Sequence, residues 1–208
     1  MSWISSIWSN SSRSSAPICN MTMDYQVTSK WDESLWRKVE PVYREAFPEH
    51  RGKSNGVLRR MFQRKLSELH TWTEAGDVIA MALTSTDRPS NVLVLDYIAV
   101  RANQRGRGIG RHCVEAISEW AATSESCRAV IIETEADDTE ENAERIKFWQ
   151  KVGFQLTGYV HPYIWVSETY YAMYLPLDPS FKPDDDGKSL FKYITKYHEK
   201  AYRGGDIE

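Results

Sequence analysis

The run Val92-Leu-Val-Leu-Asp-Tyr-Ile-Ala-Val100 is almost wholly apolar and passes directly into Arg101-Ala-Asn-Gln-Arg-Gly-Arg-Gly-Ile-Gly110, beyond which a helical pattern reaches Ala122. A short apolar run closed by a turn signal describes a buried strand, and the periodicity after it describes an amphipathic helix. Between them, Gly106, Gly108 and Gly110 remove side chains where the backbone has to bend. Several N–H groups can then converge at the positive end of the helix dipole, an arrangement that holds phosphate.

Spacing narrows the phosphate ligand. A Walker loop is excluded because no Gly-Lys-Ser/Thr occurs here. A dinucleotide fingerprint needs glycine at 111 counted from Gly106, or at 113 counted from Gly108, and those positions hold Arg111 and Cys113. The pattern that fits is Arg/Gln-x-x-Gly-x-Gly/Ala, present as Arg105-Gly-Arg-Gly108-Ile-Gly110 after a strand ending Tyr97-Ile-Ala-Val100. It resembles the acyl-CoA-binding motif of the GNAT superfamily of N-acetyltransferases. Downstream, Asn142-Ala-Glu-Arg-Ile-Lys-Phe-Trp-Gln-Lys-Val-Gly-Phe154 is similar to the family's Asn-x-x-Ala-x-x-Phe-Tyr-x-x-x-Gly-Phe segment, in the same order along the chain. The resemblance implies the α/β GNAT fold: a mixed, mainly antiparallel central sheet of about six or seven strands, splayed at the middle and flanked by helices on both faces.

With 208 residues, 41% of them hydrophobic, the chain is long enough for one domain with a substantial core. Its net charge of -3 argues against a nucleic-acid surface, which is usually basic. Cys19, Cys113 and Cys127 are odd in number and lack metal-ligand spacing, so neither a disulfide framework nor a metal site is indicated, and a reducing cytoplasm fits. The opening segment lacks the continuous apolar core of a signal peptide, and no run approaches the ~20 apolar residues that span a bilayer. Residues 1–20 read as a disordered tail, 21–178 as the acetyltransferase domain, and 179–208 as a linker and helical extension.

Along the chain, Met23 to Thr28 reads as a first strand, and Asp32 caps a helix with Leu35, Trp36, Val39, Val42, Tyr43, Ala46 and Phe47 on one face. Pro41 should kink or divide that helix. A second helix carries Val57, Leu58, Met61, Phe62 and Leu66, and Ala75-Gly-Asp77 joins two strands as a hairpin. The helix after the glycine loop buries Ile109, Cys113, Ile117 and Trp120. Ala129 to Glu135 reads as a strand, with Asp138 to Glu141 capping the helix that bears Ile146 and Trp149, and this capping accounts for most of the acidic run from Glu133 without a metal. Phe154 to Tyr159 and Thr169 to Leu175 close the sheet. Past Pro179, Lys182 to Gly187 reads as a linker, and Leu190, Tyr193, Ile194, Tyr197 and Tyr202 define a terminal helix that packs on the body or on a second subunit of a homodimer.

The resemblance also distributes roles. In the family the organising strand bulges and parts from its neighbour, and its backbone pairs with the pantetheine arm of acetyl-CoA. The matching stretch is Ile98, Ala99 and Val100, with the Ile98 N–H facing the thioester oxygen. The N–H groups of Arg105, Gly106, Arg107, Gly108, Ile109, Gly110 and Arg111 correspond to the pyrophosphate cradle, and Asn142 supports the arm. An alkyl ammonium of pKa ~10 is only about one part in a thousand neutral at pH 7, so a general base is useful. Asp96 and Glu133 are the candidates; Asp96 lies two residues before Ile98 and is expected on the same strand face. The family's tyrosine, which protonates the departing thiolate, is replaced by Trp149. Tyr97 or Tyr171 could serve instead, or the thiolate leaves unaided. Tyr159, His161, Tyr163 and Trp165 are the candidate acceptor-binding residues. These features predict an acetyl-CoA-dependent N-acetyltransferase acting on a small cationic amine, with protein acetylation or a non-catalytic acyl-CoA-binding domain as the alternatives.

Overall fold

In a computed structural model of the chain, residues 23–48, 52–164 and 166–202 are described; the expected tail over residues 1–20 lies outside them, as does Trp165. The elements run β1 (Asp24–Thr28), α1 (Glu33–Ala46), α2 (Asn55–Gln63), β2 (Glu68–Glu74), β3 (Asp77–Asp87), β4 (Val92–Val100), α3 (Ile109–Ser124), β5 (Ala129–Glu135), α4 (Glu140–Lys151), β6 (Gln155–Pro162), β7 (Thr169–Pro176) and α5 (Leu190–Tyr202). Seven strands form one sheet in the order β1-β2-β3-β4-β5-β7-β6. Every neighbouring pair is antiparallel except β4 and β5, which are parallel.

Local chemistry sets the boundaries. The Asp32 side chain accepts the Leu35 N–H at 2.9 Å and starts α1, while Thr139 does the same for Asn142 at 3.1 Å and starts α4. Ala75 and Gly76 both take positive φ, as a two-residue hairpin turn requires. Helix α1 continues through Pro41, contrary to expectation only in that it is not divided there: Trp36, Val39, Val42 and Tyr43, buried on either side of it, hold both turns to the sheet.

Two cores flank the sheet. On one face α1, α2 and α5 cover residues such as Val94, Tyr97, Ala99, Ile131 and Tyr170. On the other, α3 and α4 cover Leu93, Leu95, Ile98, Val100 and Ile132. Cys113 is completely buried there, as its place in the α3 stripe predicts. Its surroundings push the thiol pKa well up, so it is a packing residue and not a nucleophile.

The terminal helix packs on the body. Leu190, Ile194 and Tyr197 of the expected stripe are nearly inaccessible against this chain's own body, whereas Tyr193 is partly buried and Tyr202 is exposed. The segment leading to it is tied down as well. The Asp186 carboxylate accepts the Gly158 N–H at 3.0 Å, and the Asp186 carbonyl accepts the Tyr159 N–H at 3.1 Å, both on β6. Gly187 follows with φ +90°, and a Cβ there would run into the Thr157 side chain. Gly187→Ala should therefore loosen α5 by roughly 2 kcal/mol, the strain of a left-handed non-glycine residue plus the overlap. Amide exchange across α5 would rise about 30-fold, and unchanged exchange would show that this anchor does not hold the helix.

Candidate active site

Strands β4 and β5 pair over three positions only, Val92 with Ala129, Leu93 with Val130 and Val94 with Ile131. Beyond these, β4 continues to Val100 and β5 to Glu135 without pairing, and a V opens between them. The cause lies on the other edge of β4. There Leu83 pairs with Tyr97 and Thr84 with Leu95, so Asp96 is an extra residue, a bulge. A bulge bends its strand and increases its twist.

The bulge also corrects the expectation that Asp96 shares a face with Ile98. Tyr97 and Ala99 lie in the core under α1, α2 and α5, whereas Leu95, Ile98 and Val100 lie under α3 and α4. Alternation breaks at the inserted residue, and Asp96 projects toward α5 beside Tyr97. The register beyond the bulge decides which edge each backbone group faces. The Arg101 N–H bonds the Ile79 carbonyl at 2.9 Å, extending the register in which Val100 lies opposite Ala80. In an antiparallel ladder the bonded edge alternates, so Ala99 turns its polar groups to β3 while Ile98 and Val100 turn theirs into the V. The Val100 carbonyl there accepts Arg105 Nε at 3.1 Å.

A 3₁₀ turn, Ala102–Gln104, leads into the glycine loop. Gly106 and Gly108 take φ +78° and +79°, values that side-chain-bearing residues rarely adopt. Gly108 is the N-cap of α3, no side chain caps the helix, and its first turn carries no acid. Ile109 and Gly110, both buried, begin it. This end of α3 keeps its dipole and N–H groups for an anion. The arginine side chains point to other work: Arg107 pairs with Glu74 at 2.9 Å and bonds Gln104, and Arg111 donates to the Lys151 carbonyl at 3.0 Å. What the loop offers a ligand is chiefly backbone.

The two candidate carboxylates stand on the two lips of the V, each two residues beyond the last paired position and both on the α5 face. Asp96 accepts Lys53 Nζ on both oxygens, at 3.0 and 2.8 Å, and the Tyr197 hydroxyl at 2.6 Å. The Lys53 side chain is fully buried, its ammonium 4.6 Å from the Tyr97 ring centre and 5.4 Å from that of Tyr197. Burial pushes the Lys53 pKa down and the Asp96 charge opposes that shift. Glu133 accepts the Tyr163 hydroxyl at 2.7 Å and His198 Nε2 at 3.1 Å. Burial works to raise the Glu133 pKa, but the bonds from His198 and Tyr163 and the His198 charge prevail and hold it below the ordinary carboxylate value.

Other expected residues lie where they do different work. Tyr97 is packed edge-on against Tyr43 and Phe47, and burial followed by the Asp96 charge raises its pKa far enough to keep it protonated. Tyr171 is partly exposed and, by alternation with Tyr170 and Ala172, faces the α4 side, opposite Asp96 and Glu133. Tyr159, His161 and Tyr163 all pack on Phe191 of α5, with His161 stacked at 4.2 Å. Asn142 is buried, its amide donating to the Asp137 carbonyl and accepting from Arg145. Arg145, itself buried, also holds Glu135 and Glu141, which accounts for much of the acidic run. Trp149 is completely buried in the α3/α4 core, its indole N–H without a partner among the described residues.

The sequence carries no sign that Lys53, Tyr197 or His198 belongs to the site. Lys53 belongs to a charged connection without a motif. Tyr197 was visible only as a member of an apolar stripe, and His198 at its margin, four residues after Ile194. Neither carries a signal of what it faces.

A sheet parted between two parallel strands, with a glycine loop and an uncapped helix at the end of one of them, is an acyltransferase architecture. The model of the GNAT acetyltransferase family matches residues 33–154, more than half of the chain, and the chain belongs to that family. A protein of Bacteroides thetaiotaomicron assigned to the GNAT family superposes with a TM-score of 0.67 at 19% identity, over 88% of this chain and 99% of that one. A Vibrio cholerae spermidine N-acetyltransferase chimera gives 0.60 at 12%, over 75% and 96%. The Escherichia coli ribosomal-protein-S18-alanine N-acetyltransferase gives 0.55 at 15%, over 78% and 98%. At these identities the likeness is one of fold. Comparison with curated proteins gives no significant match. No described helix is long and apolar enough to cross a membrane.

The buried pair on β4 should be a stability determinant. Lys53→Met leaves Asp96 charged and enclosed, and is expected to cost about 3 to 5 kcal/mol. Lys53→Met combined with Asp96→Asn should lose clearly less than Lys53→Met alone, as measured by urea unfolding. Additive losses would mean the two groups are not coupled.

Proposed function

We propose that the protein transfers the acetyl group of acetyl-CoA to a primary amine of a small molecule, by direct attack within a ternary complex. The observation that carries the reading is the V itself: Ile98 and Val100 present backbone groups along its β4 lip, and that lip runs straight into an uncapped helix end with two left-handed glycines. These features fit a ligand with an extended amide-bearing arm and a pyrophosphate. On this reading the N–H groups from Arg105 to Arg111 hold the pyrophosphate, Ala99 keeps β4 bound to β3, and the Ile98 N–H stabilises the oxyanion formed on attack. The donor supplies a thioester whose thiolate is a fair leaving group. Trp149 has no acidic hydroxyl and Tyr97 is enclosed, so neither is placed to protonate the departing sulfur.

The roof of the V favours a small acceptor. Helix α5 lies across the V, with Tyr197 bonded to one lip and His198 to the other, and Phe191 fills the aromatic cluster of β6 and the β6–β7 connection. A long peptide would have to displace these contacts, whereas a small amine would not. Asp96 already holds an internal ammonium, so a substrate cation is left to Glu133 and its surroundings. Cys113 and Cys127 are free thiols, which suits the cytoplasm.

Two measurements test the reading. Gly108→Asp places a carboxylate at the helix end and should weaken acetyl-CoA binding about 100-fold by calorimetry while the protein stays folded; unchanged affinity would remove the pyrophosphate assignment. Acetyl-CoA-dependent thiol release with diamines, amino sugars, amino acid amides and a histone-tail peptide should show turnover with small amines. Turnover of the peptide alone would assign the protein-acetylating alternative, and acetyl-CoA binding without any turnover the non-catalytic one.

A further inference from the structure

We infer that His198 of α5 is the general base of the transfer and that Glu133 is the residue that positions it; the inference rests on the acetyltransferase reading above. Both oxygens of Asp96 are taken by Lys53, and one also by Tyr197. Each oxygen of Glu133 accepts one bond, from Tyr163 and from His198. Glu133, held below the ordinary carboxylate value, is a weak acceptor for the proton of an alkyl ammonium, because a proton-transfer partner works best when its pKa lies near the operating pH. Imidazole as a class meets that condition.

The ring is held for the task. An ionised Glu133 can only accept, so Nε2 carries the hydrogen, and in the neutral ring Nδ1 presents its lone pair. Nδ1 has no hydrogen-bond partner among the described residues, and the side chain keeps 13% of its surface open. The Tyr197 bond to Asp96, on the opposite lip, fixes the helix so that His198 stands over the parting of the strands. The charged and titratable groups linked to it are Glu133 on β5, which also receives Tyr163, and Tyr197 beside it on α5. One step further are His161, packed on Tyr163, and Asp96, which Tyr197 and Lys53 share.

The step balances. His198 Nδ1 takes one proton from the bound ammonium, giving a neutral amine. The nitrogen lone pair forms the N–C bond to the thioester carbonyl, the C–S bond breaks, and the second proton of that nitrogen goes to the departing sulfur. The imidazolium then releases its proton to solvent.

The test uses the full chain, the best primary amine of the panel, and hydroxylamine, which is already largely neutral at pH 7. His198→Gln should lower kcat/KM for the primary amine about 100-fold at pH 7 without changing acetyl-CoA affinity by calorimetry, and the loss should shrink to a few-fold at high pH and with hydroxylamine. Glu133→Gln, which still accepts from Nε2, should lose about 10-fold and keep the His198-dependent limb of the pH profile. Independently of turnover, ring-nitrogen NMR of the free protein should show neutral His198 as the Nε2–H tautomer. Turnover by His198→Gln within about twofold of the unaltered protein, an equal loss with hydroxylamine, or the Nδ1–H tautomer would overturn the assignment of His198 alone. No turnover of any amine by the unaltered protein would overturn the acetyltransferase reading, and this inference with it.

Discussion

The structure depends on two parallel strands that part after three paired positions. Inside a folded chain, backbone N–H and C=O groups cannot be left without partners at small cost. Parting β4 from β5 therefore creates a demand along two strands at the centre of the sheet, where every neighbouring strand is otherwise paired. The bulge at Asp96 is the local device that turns β4 away, and an extended ligand is the natural occupant of the space that results.

Keeping the V open asks for support on both faces. On the α3/α4 side the strands rest on Ile109, Cys113, Val114, Ile117 and Trp149, all essentially inaccessible. On the other side no strand can cross the gap, and α5 does so instead, reaching Asp96 through Tyr197 and Glu133 through His198. Lys53 completes the arrangement by neutralising Asp96 from the α1–α2 connection. A buried pair of this kind contributes less to net stability than to fixing one geometry, since each ion loses its hydration.

Sequence carries the parts of this architecture that repeat locally and loses those that depend on distant partners. The strand from Val92, the glycine loop, the α3 stripe and the β2–β3 turn are all written in spacing, because glycine conformation and apolar periodicity are properties of adjacent residues. The face of Asp96 is not legible in the sequence because a bulge is a relation between two strands: nothing in Leu95-Asp96-Tyr97 announces that Thr84 will lie opposite Leu95. The aromatic cluster was legible as a cluster, yet not as the seat of Phe191, which arrives from the far end of the chain. His198 and Lys53 have no local signature at all, and the residues they meet lie 65 and 43 positions away.

That separation bears on how the protein comes into being. The segment matching the family ends at Phe154, and everything that defines the sheet's parted strands precedes it. The bond from Tyr197 to Asp96 nevertheless joins residues 101 positions apart. During synthesis, β4 and β5 emerge well before the helix that clasps them, so Asp96 and Glu133 spend that interval without Tyr197 and His198. Contacts of such long sequence separation form late and slowly. The nascent protein thus acquires its shape before it acquires the groups that complete its two lips, and a chain interrupted before residue 197 would resemble the family in outline while lacking the clasp across its centre.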